Sequence, residues 1–485
     1  MSIALKVAKG ATWLAFFKLL SQIFSWIITI LVARILIPGD YGLMEMSTII
    51  TGYAMMFSEL GLGSAIIQRQ NITENEMSSI FWFMLGISTL MASLCFVVAY
   101  PTAFIFHENR VIPLTQAVSV LFIITGLQIV PLNLMRKDLE FKKIGLIEMT
   151  GAGISSLAMY MLAYMGAGVW TLLGGHIIRE FIKLVLLYIN KRWLPKAYMN
   201  FSEVRSYLGF GINVAAGRSF FYVYDKADRF FAGRAWSTQL LGYYSFALQL
   251  AKIPTEKIVS LINMVSFPAF SQFQGSPERF NSFYLNIIKV TMVIVLPIFV
   301  GGFMVGEDIV RILLDSKWLP IIPLFKYLCL AQIFVSLTAL NNMVHIAQGR
   351  PMWSLYFNLI CTIFMPISFY FATRHNLNSI LIPWFTTYLA ISCAWVMITL
   401  SKIGIRFLTY VKYLLKPVFA VIVMSFAILL FENLMSCTYQ VNVNIVLSLA
   451  VKIVIGAFFY IGYLYVFDKE IFLRLKNIRS LEHRE

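Results

Sequence analysis

Apolar residues run along this chain in blocks of about 20 or more, each long enough to cross a bilayer as helix, and the blocks recur from end to end. The spans they predict are approximately 11–37, 42–67, 79–104, 111–134, 146–166 and 169–190, then a basic connection from Lys191 to Arg205. A second series covers 207–234, 240–270, 283–304, 322–348, 353–373 and 378–401, and two more spans, 412–431 and 443–467, follow. One block departs from the rest. Tyr207–Arg234 is apolar enough to span yet carries Arg218, Asp225, Lys226, Asp228 and Arg229 in its interior. At about 100° per helical residue, Arg218, Tyr222, Asp225 and Arg229 share one narrow face, so this helix is lipophilic on one side and ionic on the other. Ionisable side chains at membrane depth cost at least about 2.5 kcal/mol each on insertion scales, which makes that face a candidate functional site.

Laying the first span on Tyr207–Arg234 at an offset of 200 residues reveals an internal repeat. Lys18 meets Arg218, Ala33-Arg34 meets Gly233-Arg234, and Gly42 meets Gly242 at the start of the next span. Lys18, Gln22, Ser25 and Thr29 take the places of Arg218, Tyr222, Asp225 and Arg229, and after a small insertion AIIQRQ at 65–70 resembles AFSQFQ at 269–274. Two halves of six spans each share one orientation, so the repeat is parallel, with its pseudo-two-fold axis along the membrane normal. The expected fold is all-α and polytopic, with fourteen transmembrane helices. It divides into a six-helix lobe over 1–200, a second over 201–405, and two further helices with a basic tail over 406–485.

Composition agrees with this pattern. Of 485 residues, 59% are hydrophobic and 13% charged, too apolar for a soluble enzyme. The net charge of +16 does not indicate a nucleic-acid partner, because the basic residues sit in short connections where a positive-inside bias places them. With the N-terminus inside, the inner connections carry Arg136, Lys137, Lys142 and Lys143, then Lys191, Arg192, Lys196 and Arg205, then Lys402, Arg406, Lys412 and Lys416. Both termini are therefore expected in the cytoplasm. The first apolar segment contains Lys18 and has no small-residue cleavage site, so it reads as an uncleaved helix. Cys95, Cys329, Cys361 and Cys393 lie in apolar runs and Cys437 in a polar connection expected outside, with neither a disulfide framework nor a metal motif.

The span after the charged one continues its theme, with Gln249, Lys252, Glu256, Ser260 and Asn263 on one face and Pro254 expected to interrupt the helix. Lys289 follows in the next span. One reading is a net cationic, water-filled cavity between the two bundles, where Lys18, Arg218, Arg229, Lys252 and Lys289 face an anionic substrate. The other is that Asp225 pairs with Arg229 and Lys252 with Glu256 at i, i+4 and that these pairs hold helices together. Lys18 and Arg218 have no acid at i±3 or i±4, which favours the cavity for them. Arg34 and Arg234 read as snorkelling anchors, and the lone membrane histidines His176 and His345 as core hydrogen-bonding groups. No nucleotide-binding motif or catalytic constellation is present, so an enzyme is not expected.

LVARILIPGDYGL at 31–43, ELGLGSAIIQRQ at 59–70, Phe81-Trp82, LMRKDLEFKKIGLIE at 134–148 and GAGVWTLLGG at 166–175 resemble the polysaccharide transporter family. That family contains the Wzx-type flippases of the multidrug, oligosaccharidyl-lipid and polysaccharide exporter superfamily. The likeness is strongest over the first six spans, and is greatest to the colanic-acid, teichuronic-acid and lipopolysaccharide exporters. It implies alternating access that moves an undecaprenyl-diphosphate-linked oligosaccharide across a bacterial inner membrane, with membrane lipids, a polysaccharide polymerase and other assembly proteins as partners. In the related lipid II flippases, basic residues on the first helix bind the diphosphate; Lys18 best matches that position, with Arg218 its repeat mate. This chain departs from that pattern in its acids Asp225, Asp228 and Glu256, and Asp225 or Glu256 is expected to couple transport to H+ or Na+, with no other cofactor. A drug antiporter of the same superfamily would call for acids in the first lobe, and a membrane polymerase for a sizeable outer loop; the longest outer connection here, around 306–321, is short.

Overall fold

A computed structural model describes the backbone of residues 3–59, 66–67, 72–438 and 444–469, with side chains over the same ranges except 3–11, 57–59, 205–218, 265 and 436–438. The side chains of Arg218 and Cys437, and most of the 65–70 repeat motif, lie outside the described residues. The described elements are helical in the order that the apolar blocks predict. They are α1 (Ile3–Ile35), α2 (Pro38–Glu59), α3 (Glu74–Phe106), α4 (Val111–Val118), α5 (Val120–Lys137), α6 (Phe141–Tyr164), α7 (Trp170–Asn190) and α8 (Phe201–Ala235). There follow α9 (Thr238–Gln272), α10 (Pro277–Leu313), α11 (Ile321–Ala347), α12 (Pro351–Ala372), α13 (Ile382–Phe385), α14 (Thr387–Ile403), α15 (Phe407–Thr438) and α16 (Ile445–Phe467). Among the described residues, 10 helical segments are long and apolar enough to cross a membrane. The long helices that miss that criterion, α2, α7, α8 and α9, are the more polar ones, and three of them build the site described below.

Local chemistry sets the helix ends. Thr73 and Glu76 form a reciprocal capping box at the start of α3, with Thr73 Oγ1 accepting from the Glu76 amide at 3.2 Å and Glu76 Oε2 from the Thr73 amide at 2.8 Å. Asn200 caps α8 by accepting from the Ser202 amide at 3.0 Å. Gly404, at φ 75°, closes α14 in the left-handed conformation that glycine adopts without a Cβ penalty. Pro254 does not interrupt α9, which runs unbroken through it and through Pro268. A proline removes one intrahelical hydrogen bond, and the surrounding turns keep the helix continuous.

The chain divides into two compact units, Met1–Ser245 and Phe246–Glu485. In the first, α1 packs on α6, α6 on α7, α3 on α5, and α8 lies against α2 and α3. Its core includes Met77, Ile80, Phe81, Met84, Val130 and Val204. The basic connection after α7 is docked, not loose: Trp82 Nε1 donates to the Lys196 carbonyl at 2.7 Å and Ser79 Oγ to Glu203 Oε2 at 2.9 Å. In the second unit, α10 packs on α11, α15 and α16, and α14 on α11 and α12. There the core gathers Phe270, Phe280, Tyr284, Ile288, Val344 and Leu400.

Candidate functional site

The repeat of 200 residues has a structural counterpart inside the first unit. Helix α1 ends at Ile35 and α8 at Ala235; α2 begins at Pro38 and α9 at Thr238. Where these two corners meet, a Cβ on Gly42 would stand 1.9 Å from the Thr238 carbonyl oxygen, and one on Gly242 would stand 1.8 Å from the Pro38 carbonyl oxygen. Contacts this close and this reciprocal describe a local two-fold, and only glycine permits backbones to approach so far.

One turn along from this crossing lies a buried ionic cluster on the contact of α2 with α8. Glu45 Oε1 of α2 accepts from Lys226 Nζ at 2.9 Å and stands 3.3 Å from Arg229 Nη1. Arg229 also reaches Asp225 Oδ2 at 2.9 Å, the i, i+4 pair that the sequence predicts, and Asp228 Oδ1 at 3.2 Å. Tyr244 of α9 donates its hydroxyl to Asp228 Oδ2 at 2.7 Å. Tyr222 donates to the Ile49 carbonyl at 2.8 Å, over Gly52, where a Cβ would stand 2.4 Å from the phenol oxygen. Asp228 is 1% exposed and Arg229 8%, so their charges are matched by protein and not by water.

The remaining candidates are dispersed. Lys18 is exposed on α1, below Ser25, whose hydroxyl lies 3.4 Å from that of Ser156. Lys252 is half-buried on α9 and Glu256 is exposed. Lys289 is buried in the second unit, with Nζ 2.6 Å from Asp468 Oδ2, and Lys416 Nζ lies 3.4 Å from the other oxygen of the same carboxylate. A second three-membered group sits further along the same helices: Lys452 of α16 lies 2.7 Å from both Asp308 of α10 and Glu432 of α15. His345 makes a core hydrogen bond, its Nε2 3.0 Å from Thr399 Oγ1, whereas His176 is exposed.

Sequence reasoning passed over Glu45, Tyr244, Asp468 and the Lys452 group. Glu45 was detectable as an acid inside an apolar block and Lys452 as a lysine inside another, whereas Asp308 and Glu432 fall just outside the predicted spans. Asp468 reads in the sequence as the first residue of a charged tail, and nothing local marks it as the partner of Lys289.

Many long apolar helices, with charges paired between them, define a polytopic membrane protein. The fold is similar to that of a solved lipid II flippase, MurJ, in an inward closed conformation, with a TM-score of 0.75, 14% identity, and coverage of 95% of this chain and 99% of that one. It is also similar to an inward-facing multidrug-resistance MATE transporter of the MOP superfamily, with a TM-score of 0.63, 14% identity, and coverage of 79% and 94%. The chain belongs to the polysaccharide biosynthesis protein family, whose model matches residues 31–323. Its relatives include the lipopolysaccharide biosynthesis protein WzxC of Escherichia coli, 25% identical over 76% of this chain and 75% of that protein. The teichuronic acid biosynthesis protein TuaB of Bacillus subtilis is 22% identical over 95% of both.

Proposed function

We propose that this protein is a flippase, not an enzyme, that moves undecaprenyl-diphosphate-linked oligosaccharide, a surface-polysaccharide repeat unit, across the bacterial inner membrane. Family membership and the flippase-like fold support this reading. The observation that carries it is the ionic face of α8, where Lys226 and Arg229 meet Glu45 of α2 among predominantly apolar helices. A diphosphate with bulky sugars cannot cross hydrocarbon unaided, whereas cations in a shielded cavity supply its missing hydration while the lipid tail stays in the bilayer.

The proposal divides the cations by their company. Arg229 is held by Asp225, Asp228 and Glu45, and Lys289 by Asp468, so these two organise helices. Lys18, on a helix with no acid within one turn of it, and its repeat mate Arg218 are the cations assigned to the diphosphate. Asp225 or Glu256 links movement to H+ or Na+ in an alternating-access cycle of fourteen helices, two six-helix bundles plus two, with both termini cytoplasmic. A drug antiporter would need an acid for its cation substrate; the first span carries none, and Glu45 in the second is matched by Lys226 and Arg229.

Analysis of lipid-linked intermediates in a deletion strain tests the class. Loss of the protein is expected to leave an accumulated undecaprenyl-diphosphate oligosaccharide and to reduce the matching surface glycan. A normal lipid-linked pool with unaltered glycan contradicts the proposal.

A further inference from the structure

A second site lies on the outer surface of the first unit, away from the ionic cluster. A groove of about 560 Å³ runs between α5 and α7, lined by Leu127, Leu184, Val185, Tyr188, Ile189 and Arg192. That volume is in the range of specific small-ligand sites, about 300–1,000 Å³. Its walls are apolar and turned outward, with Val185 41% and Ile189 63% exposed. From Leu184 to the end of α7 the groove extends about 9 Å at 1.5 Å per residue, most of the depth of one hydrocarbon leaflet. Tyr188 lines the middle of the groove, its hydroxyl donating to the Leu127 carbonyl at 3.2 Å, and Trp193 follows Arg192 beyond the helix end, an aromatic of the kind that favours the headgroup level.

Charge singles out the occupant. The neighbouring lysines are matched: Lys183 by Glu180 at 3.6 Å, Lys196 by Glu74 at 2.6 Å, and Lys191 by Asp138. Arg192, exposed at the mouth of the groove, has no carboxylate partner among the described residues. A guanidinium presented at headgroup level above an apolar channel fits a bidentate phosphate with a hydrocarbon chain beneath it. We infer that this groove is a binding site for an anionic glycerophospholipid of the surrounding leaflet, with Arg192 on its phosphate and one acyl chain along Leu184, Val185 and Ile189.

The test uses the full-length protein purified in mild detergent, with phosphatidylglycerol or phosphatidylcholine added and retention read by native mass spectrometry. Wild type is expected to retain phosphatidylglycerol over phosphatidylcholine. Arg192→Gln should weaken that retention about fivefold, the worth of one basic residue at an anionic membrane surface. Ile189→Trp, which fills the groove and keeps the charge, should weaken it as well, which separates a chain channel from plain surface charge. On wild type alone, a photoactivatable acyl chain on phosphatidylglycerol should crosslink to α7. Equal retention of both lipids, unchanged retention in both variants, crosslinks elsewhere, or displacement of phosphatidylglycerol by undecaprenyl phosphate would each overturn the assignment.

Discussion

Both units bury lysine or arginine in the membrane, and they neutralise them differently. In the second unit each cluster is a small closed group. Asp468 bridges Lys289 and Lys416, and Lys452 bridges Asp308 and Glu432, so α10, α15 and α16 are clipped together at two levels. Tyr460 adds a hydrogen bond from α16 to the Val293 carbonyl at 2.8 Å between the two clips. In the first unit, Glu45, Asp225 and Asp228 share Lys226 and Arg229, and Tyr244 completes the set. Removing one outer member of a closed group leaves its central residue a single partner; removing one member of the wider network leaves the others more fully served. The clips therefore read as fixed architecture, and the α2–α8 cluster as a contact that can be rearranged, beside the glycine crossing where the repeat's two corners meet.

The largest effect is expected from breaking a clip. Lys289→Met leaves the buried Asp468 with only the longer contact to the more exposed Lys416, at 3.4 Å, and should lower stability by up to about 3–5 kcal/mol, the cost of losing one partner of a buried pair. Thermal unfolding in detergent measures it, and Lys289→Met with Asp468→Leu should recover most of the loss. Next come Gly42→Ala and Gly242→Ala. Each new methyl meets a carbonyl oxygen across the crossing, so each should cost about 1–3 kcal/mol by overpacking, and the two-fold makes the two losses similar. A loss at one position and none at the other would break the symmetry argument. Tyr244→Phe removes a hydrogen bond to a buried carboxylate and should cost about 1.5–3 kcal/mol, while Glu45→Gln, with Arg229 still held by two acids, should cost less than Lys289→Met. If Glu45→Gln proves the more damaging, the contrast between shared network and closed clip fails.

The smallest effect lies outside the membrane. Hydrogen bonds from the Arg110 guanidinium to Glu108, the nearer at 2.7 Å, hold that carboxyl below its usual range. A lowered folded pKa contributes stability that is present above the ordinary carboxylate range and lost as pH falls through the folded value. For so exposed a pair the contribution is about 0.5 kcal/mol or less, and Glu108→Gln should remove the acid-side dependence and cost no more than that amount at neutral pH.

The sequence predicts well wherever the physics is local or periodic. Apolar blocks mark the helices, and the i, i+4 spacing of Asp225 and Arg229 foretells their ion pair. The 200-residue offset aligns Gly42 with Gly242, and the structure gives the two glycines equivalent surroundings, against Thr238 and Pro38. It fails where partners are remote. Lys289 and Asp468 are 179 residues apart, and Lys452 and Asp308 144, and no local pattern links them. Lys289 thus looks in sequence like a cavity cation, whereas packing commits it to a helix clip. Pro254 is the reverse case: a strong local signal for a break is overridden by the continuous helix around it.

The central claim is that Lys18 and Arg218 carry the diphosphate while the buried clusters hold the helices. Reconstituting wild type, Lys18→Ala and Arg218→Ala into proteoliposomes with undecaprenyl-diphosphate oligosaccharide, and following its arrival in the opposite leaflet, tests this directly. Both variants, shown to be folded by their melting, are expected to lose at least tenfold in rate, the worth of about 1.4 kcal/mol of charge-assisted contact. Movement at the wild-type rate by both folded variants would contradict the account.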